Sequence, residues 1–189
     1  MTTRLNTSKR DRLVEAAKVL FYHQGVARST LADIAQEANV PLGNVYYHFR
    51  TKESIVEAVL QAHTQELGEL FAAWERYPDP RQRLCEFVAQ SRAVEDNLVR
   101  YGCPHGSLCQ ELDKGDDQRA FIASQLFQVY LDWVETQMHL LGKDEQEAND
   151  LAVDLISSLQ GTFLLANNAR SPELLDRKLQ RLEQWVRTL

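Results

Sequence analysis

The stretch STLADIAQEANVPLGNVYYHFRTK, residues 29–52, constrains the fold more than any other part of this 189-residue chain. Thr30 is a hydroxyl N-cap, and Asp33 lies three residues on, where a capping box places its return partner. Leu31, Ile34, Ala35 and Ala38 follow at spacings that put them on one face of a helix about two turns long. Asn39 tolerates a left-handed backbone and closes a turn. Pro41 suits the first turn of a second helix, where its missing N–H is not needed. Val45 and Phe49, four apart, point back toward Ile34 and Ala35. The opposite face carries Leu42, Asn44, Tyr47 and His48, with Tyr46 at its edge.

Two short helices around a compact turn, with polar and aromatic groups outward on the second, suit the major groove of DNA. A seven-residue helix is only about 10 Å long, yet it brings three or four side chains to base edges, enough for one half-site. Asn44 is the candidate for a direct base contact. Tyr46, Tyr47 and His48 are assigned to phosphates or sugar, and Leu42 to a thymine methyl. Thr30 joins the DNA-contacting set. Thr51 caps the next helix, and Lys52 in its first turn is placed to hold a phosphate together with backbone N–H groups. A generic helical hairpin with exposed aromatics would show the same periodicity.

The net charge of −6 argues against nucleic acid until its distribution is read. Residues 1–60 hold eight Lys and Arg against six Asp and Glu; the remainder holds thirteen against twenty-one. A mildly basic head on an acidic body fits a protein that meets DNA with one end only. Three cysteines do not make a disulfide framework, so a reduced, cytoplasmic setting is expected. No apolar run reaches membrane-spanning length, and MTTRLNTSKR lacks the apolar core of a secretion signal. In that tail, Arg4, Lys9 and Arg10 either touch DNA backbone or are simply solvated.

The rest of the chain reads as all-α. A first helix runs from about Ser8 to Gln24, with Leu13, Ala16, Ala17, Leu20 and Phe21 inward and Gly25 at its end. A fourth runs from Lys52 to about Arg76, with His63 near its midpoint as a surface or boundary residue. Pro78 and Pro80 mark its stop. A fifth covers about Pro80 to Leu98, with Leu84, Phe87, Val88, Ser91 and Val94 inward. A long helix from about Asp116 to Leu141 carries Phe121, Ile122, Leu126, Val129, Trp133, Val134 and Leu140. The next runs from about Asp144 to Asn167, with Ala148, Leu151, Ala152, Leu155, Ile156, Leu159, Phe163 and Leu164. Ser171 caps the last, which carries Leu175, Leu179, Leu182, Trp185 and Val186. Two long apolar helices at the end suggest a four-helix interface between two copies, or simply the end of the monomer core.

With Phe21 and Gly25 upstream, the segments AAKVLFYHQG, STLADIAQEANV and GNVYYHFRTKESI resemble the N-terminal domain of the TetR family of transcriptional regulators. The likeness covers about 50 residues, and YYHFRTKE is its most specific part. It implies a three-helix DNA-binding domain at 1–54 and a helical ligand-binding and dimerisation domain at 55–189, about nine helices in all. It further implies a homodimer on a near-palindromic duplex operator. Pro41 and Leu42 stand where small polar or basic residues are frequent in the family, which leaves the operator sequence open.

In YGCPHGSLCQEL, residues 101–112, Pro104 as a first helical residue puts Cys103 at the N-cap, where the positive helix end and unpaired N–H groups favour a thiolate. The segment resembles the matching region of electrophile-responsive repressors of the same family, which implies a redox-sensing role for Cys103. Other readings stand beside it. His105, Cys109 and Asp113 fall on one helical face and could hold a soft metal, though no standard signature matches. A Cys103–Cys109 disulfide is another; in a third, Cys85 and Cys109 are small buried hydrophobes and Cys103 is inert as well. Candidate lining residues for an effector pocket are Phe87, Ser91, Tyr101, Phe127, Tyr130, Trp133, Phe163 and Asn167.

No strand-turn-helix elbow or phosphate loop positions a nucleophile, so an enzyme is not expected, and neither is a cofactor. The function expected is a repressor released from its operator by a small molecule or electrophile. A constitutive DNA binder and a helical protein–protein adaptor are the alternatives.

Overall fold

The structure is a computed structural model that describes residues 8–112 and 118–189, the side chains at 118–120 and 122 excepted. Arg4 and Asp113 of the readings above, the region around Asp116 and the side chain of Ile122 lie outside the described residues. Among the described residues there are ten helices and no strand: α1 Lys9–Gln24, α2 Leu31–Glu37, α3 Leu42–His48, α4 Lys52–Trp74, α5 Pro80–Ala93, α6 Glu95–Tyr101, α7 Pro104–Leu112, α8 Gln118–Leu140, α9 Glu145–Ala169 and α10 Pro172–Thr188. They form two compact units. One holds the described residues up to Thr64 together with Ser107–Ala123; the other holds Gln65–Gly106 with Ser124–Leu189.

In the first unit, Ser8 and Asp11 make a full capping box at the start of α1, and Thr30 and Asp33 do the same for α2. α1 stops at Gly25, whose φ of 85° excludes an ordinary side chain and whose N–H returns to the Phe21 carbonyl. Leu13, Ala17, Ile34, Val45, Ile55, Val56 and Val59 are fully buried and make the core of the unit. His63 corrects the expectation of a surface or boundary histidine, because it is buried with this core.

In the second unit, α5 and α9 both pack on α10, and α6 packs on α9. Leu84, Val88, Leu155, Leu175 and Leu179 on these helices are fully buried, as is Val134 on α8. Asp79 caps α5 with Pro80 at the first position, and Ser171 and Pro172 do the same for α10. Arg92 on α5 binds Asp176 at 3.0 Å and also Glu183, both on α10. The Asn167 amide and the Arg170 guanidinium both donate to the Val99 carbonyl at 3.0 Å, tying the end of α9 to α6.

The predicted fifth helix is two. It breaks at Val94, where φ −124° and ψ 21° leave the helical region and the side chain is exposed rather than inward. That division accounts for ten helices where about nine were expected. Phe121, Leu140 and Leu164, placed inward by periodicity, are 67%, 58% and 59% exposed. Periodicity finds an apolar face but not what covers it.

Candidate nucleic-acid interface and ligand cavity

α3 is held by a narrow inner edge. Val45 is fully buried, and Phe49, where the chain turns extended after the helix, is nearly so. Asn39 takes the left-handed conformation (φ 51°) that closes the turn before it. The helix begins at Leu42, and Pro41 is its N-cap rather than a residue of its first turn. With that edge fixed, Tyr47 is 86% exposed, Tyr46 54% and Leu42 42%, while Asn44 and His48 are half-buried. The Tyr47 and His48 rings meet edge-on at 5.0 Å. The five α3 residues assigned to DNA by the sequence therefore share one short helix.

Thr30 and Lys52 flank α3 and are each partly committed. The Thr30 hydroxyl accepts from the Asp33 N–H at 3.1 Å and donates to the Asp33 carboxylate at 2.7 Å. That hydroxyl, with the Thr30 N–H, holds the Asp33 carboxyl below its ordinary pKa. Lys52 Nζ donates to the Ala27 carbonyl at 3.3 Å, which leaves the ammonium two further donors. Thr51 caps α4 as expected: its hydroxyl accepts from the Ser54 N–H. Arg10 lies over the Phe49 ring at 5.2 Å.

One residue of this unit was not singled out from sequence. The Glu111 carboxylate, near the end of α7, accepts from the Val26 N–H at 2.8 Å and the Ala27 N–H at 2.6 Å, in the loop between α1 and α2. A carboxylate accepting two backbone N–H groups is among the stronger polar contacts a protein makes. Glu111→Ala is expected to lower stability by about 1.5–3 kcal/mol, the lower end reflecting its partial exposure, and Glu111→Gln by about half of that. Urea unfolding of the three proteins at equal concentration checks this.

Within the second unit, a cavity of about 230 Å³ lies between α4, α5, α9 and the start of α7. Of the predicted lining, Phe87, Ser91, Tyr130 and Phe163 do line it. The other four are elsewhere. Trp133 is buried behind the wall, stacked on Phe71 at 4.6 Å and 12°. Phe127 meets the Tyr130 ring at 6.0 Å. Tyr101 lies under the Arg100 guanidinium, and Asn167 is spent on Val99. The walls that sequence reading missed come from the second half of α4 (Leu67, Phe71, Trp74) and from Gln160 on α9. His105 Nδ1 lies 2.7 Å from the Tyr130 hydroxyl.

Cys103 also lines the cavity, and its sulfur accepts from the Gly106 N–H at 3.3 Å. Burial pushes its thiol pKa up, more than the Gly106, Gln160 and His105 donors pull it down. The expected thiolate at a helix start is thus reversed by desolvation. No disulfide joins Cys85, Cys103 or Cys109.

Residues 13–59 match the family described as bacterial regulatory proteins, tetR family, and residues 80–180 match the C-terminal domain described as transcriptional regulator LmrA/YxaF-like. The chain is 29% identical over 183 residues to the HTH-type transcriptional repressor DhaR of Mycobacterium sp. (strain GP1), covering 92% of this chain and 89% of that one. It is 49% identical over 101 residues to the probable HTH-type transcriptional regulator ArpR of Pseudomonas putida, covering 53% of this chain and 40% of that one. Its fold is similar to the crystal structure of a TetR transcriptional regulator from Legionella pneumophila, with TM-score 0.83 and 20% identity over 97% of this chain and 98% of that one.

Proposed function

Since this chain belongs to the TetR family of bacterial transcriptional regulators and is a DNA-binding regulator rather than an enzyme, we propose that it reads a near-palindromic operator as a homodimer and represses by occupying it. The observation that carries this is α3, with Val45 fully buried and Tyr47 on the same helix 86% exposed. Asn44 takes the base contact, Leu42 meets a thymine methyl, and Thr30, Tyr46, Tyr47, His48 and Lys52 meet the backbone of the duplex. The full-length likeness to a protein named as a repressor supports repression. Selection of bound duplexes from a random pool tests the reading: an inverted repeat with half-sites about one helical turn apart supports it, and DNA bound without sequence preference defeats it.

The exposed face of α9 suits a second copy. Val153, Leu164 and Leu165 are 45%, 59% and 54% exposed, and Ser157 and Gly161 between them leave room for a close neighbour. A protein carrying both Leu164→Glu and Leu165→Glu is expected to sediment as a monomer and to lose at least about a hundredfold in operator affinity, because one half-site alone is too small to hold it. Analytical ultracentrifugation and a mobility shift check the two parts.

The cavity is assigned to an effector whose binding releases the operator. Cys103 has its place there as a neutral, polarisable wall group, and a thiol-modifying agent would act by filling the same space. Operator affinity with and without such agents tests this part; a regulator insensitive to every compound that fits would be constitutive.

A further inference from the structure

We infer that the effector is a compact, uncharged molecule of a single aromatic ring bearing one hydrogen-bonding oxygen, such as a phenol or an aryl ketone. This inference rests on the reading of the cavity as the effector site. Three observations fix the class.

The first is charge. Among the described residues, no Lys, Arg, Asp or Glu lines the cavity. An ionised ligand would lose its hydration there with no countercharge to replace it. The second is size. A cavity of about 230 Å³, at roughly 30 Å³ for each water's share of liquid volume, holds on the order of ten non-hydrogen atoms, one ring with a short substituent. The third is the make-up of the wall. Phe71, Trp74 and Phe87 line it, with Phe71 and Phe87 edge-on at 6.5 Å and Phe71 and Trp74 tilted at 5.9 Å. A flat ring meets such a wall by offset stacking or edge-on.

The polar part of the lining includes the His105–Tyr130 pair and Gln160, with the Tyr130 ring against Phe71 and Phe87 at 6.0 and 5.9 Å. A hydroxyl donates one hydrogen and accepts two, and an imidazole's two nitrogens exchange donor and acceptor roles with tautomer. The pair therefore serves either a carbonyl or a hydroxyl. Val94, at the break between α5 and α6, both lines the cavity and is 42% exposed, which marks a way in from solvent that needs no opening of the core.

The test uses the full-length protein and the emission of Trp74, in the wall, and Trp133, stacked behind it. Acetophenone and 4-ethylphenol are expected to change it saturably, while benzoate and benzylammonium near neutral pH bind at least about tenfold more weakly. Tyr130→Phe is expected to weaken acetophenone and 4-ethylphenol about tenfold and leave toluene unchanged, a difference that a merely structural tyrosine would not produce. Benzoate or benzylammonium binding as tightly as acetophenone would overturn the inference. So would the failure of both neutral oxygen compounds to bind protein that still selects its operator; the DNA-reading role would then stand alone. If they bind and the operator is not released, the ligand class stands and the release mechanism falls.

Discussion

Replacing Asn44 by alanine is expected to flatten base preference at one position of each half-site, at a cost of about 1–3 kcal/mol per contact and so about 2–6 kcal/mol for a symmetric dimer. The reason lies in the anchoring of α3. Val45 and Phe49 fix its rotation by burial, so the substitution removes an amide without releasing the helix. Affinity for random duplex should change little, because phosphate contacts carry that part. Lys52→Ala makes the contrast. It should weaken all duplexes alike and reduce the salt slope by about one per site. Binding isotherms on the selected operator, on single-position variants of it and on random duplex, each at two salt concentrations, separate the two effects. Loss of affinity for all sequences alike on Asn44→Ala would move the base contact to another residue of the helix.

Acid should destabilise the first unit through His63. Its pKa in the folded protein is lowered from 6.5 to about 4, first by desolvation and then by the charge of Lys18. The unfolded chain takes up the proton near its ordinary value, while the folded one stays neutral until about pH 4. Between those values the unfolded state binds more protons, so stability falls as pH falls and levels out below. The full difference is about 3 kcal/mol. His63→Leu removes that slope and fills the same buried site with an apolar group. Stability curves from urea unfolding at matched protein concentration, taken from neutral pH to about pH 4, should lie closest near neutrality and separate in acid, where the histidine protein falls away from the variant by the difference in slope. Parallel curves would show that the imidazole titrates normally in the folded state.

Much of the head was legible in sequence, because its instructions are local. Thr30 and Asp33, Asn39, Gly25 and Thr51 each act within a few residues, and the structure uses each as a cap or turn. Side chains placed by long-range packing were not. Glu111 holds amides 84 and 85 residues away, a pairing that no spacing rule contains. His63 looks amphipathic on paper and is buried only because the core closes around it. Cys103 was read by its helix end alone, and the desolvation that outweighs the helix end comes from the surrounding walls. For the cavity, three aromatic side chains and Ser91 were placed from sequence, but α4 and α9 supply further residues whose apolar spacing is indistinguishable from ordinary core.

The two amides held by Glu111 give this molecule a built-in reporter. Val26 and Ala27 precede α2 and belong to no helix, so the Glu111 carboxylate takes the place of a helical acceptor in slowing the exchange of their protons with solvent deuterium. Their exchange rates measure how long the end of α7 stays seated. Peptide-level mass spectrometry across residues 24–30, with and without duplex or a bound compound, would follow that seating directly, with no label attached to the chain.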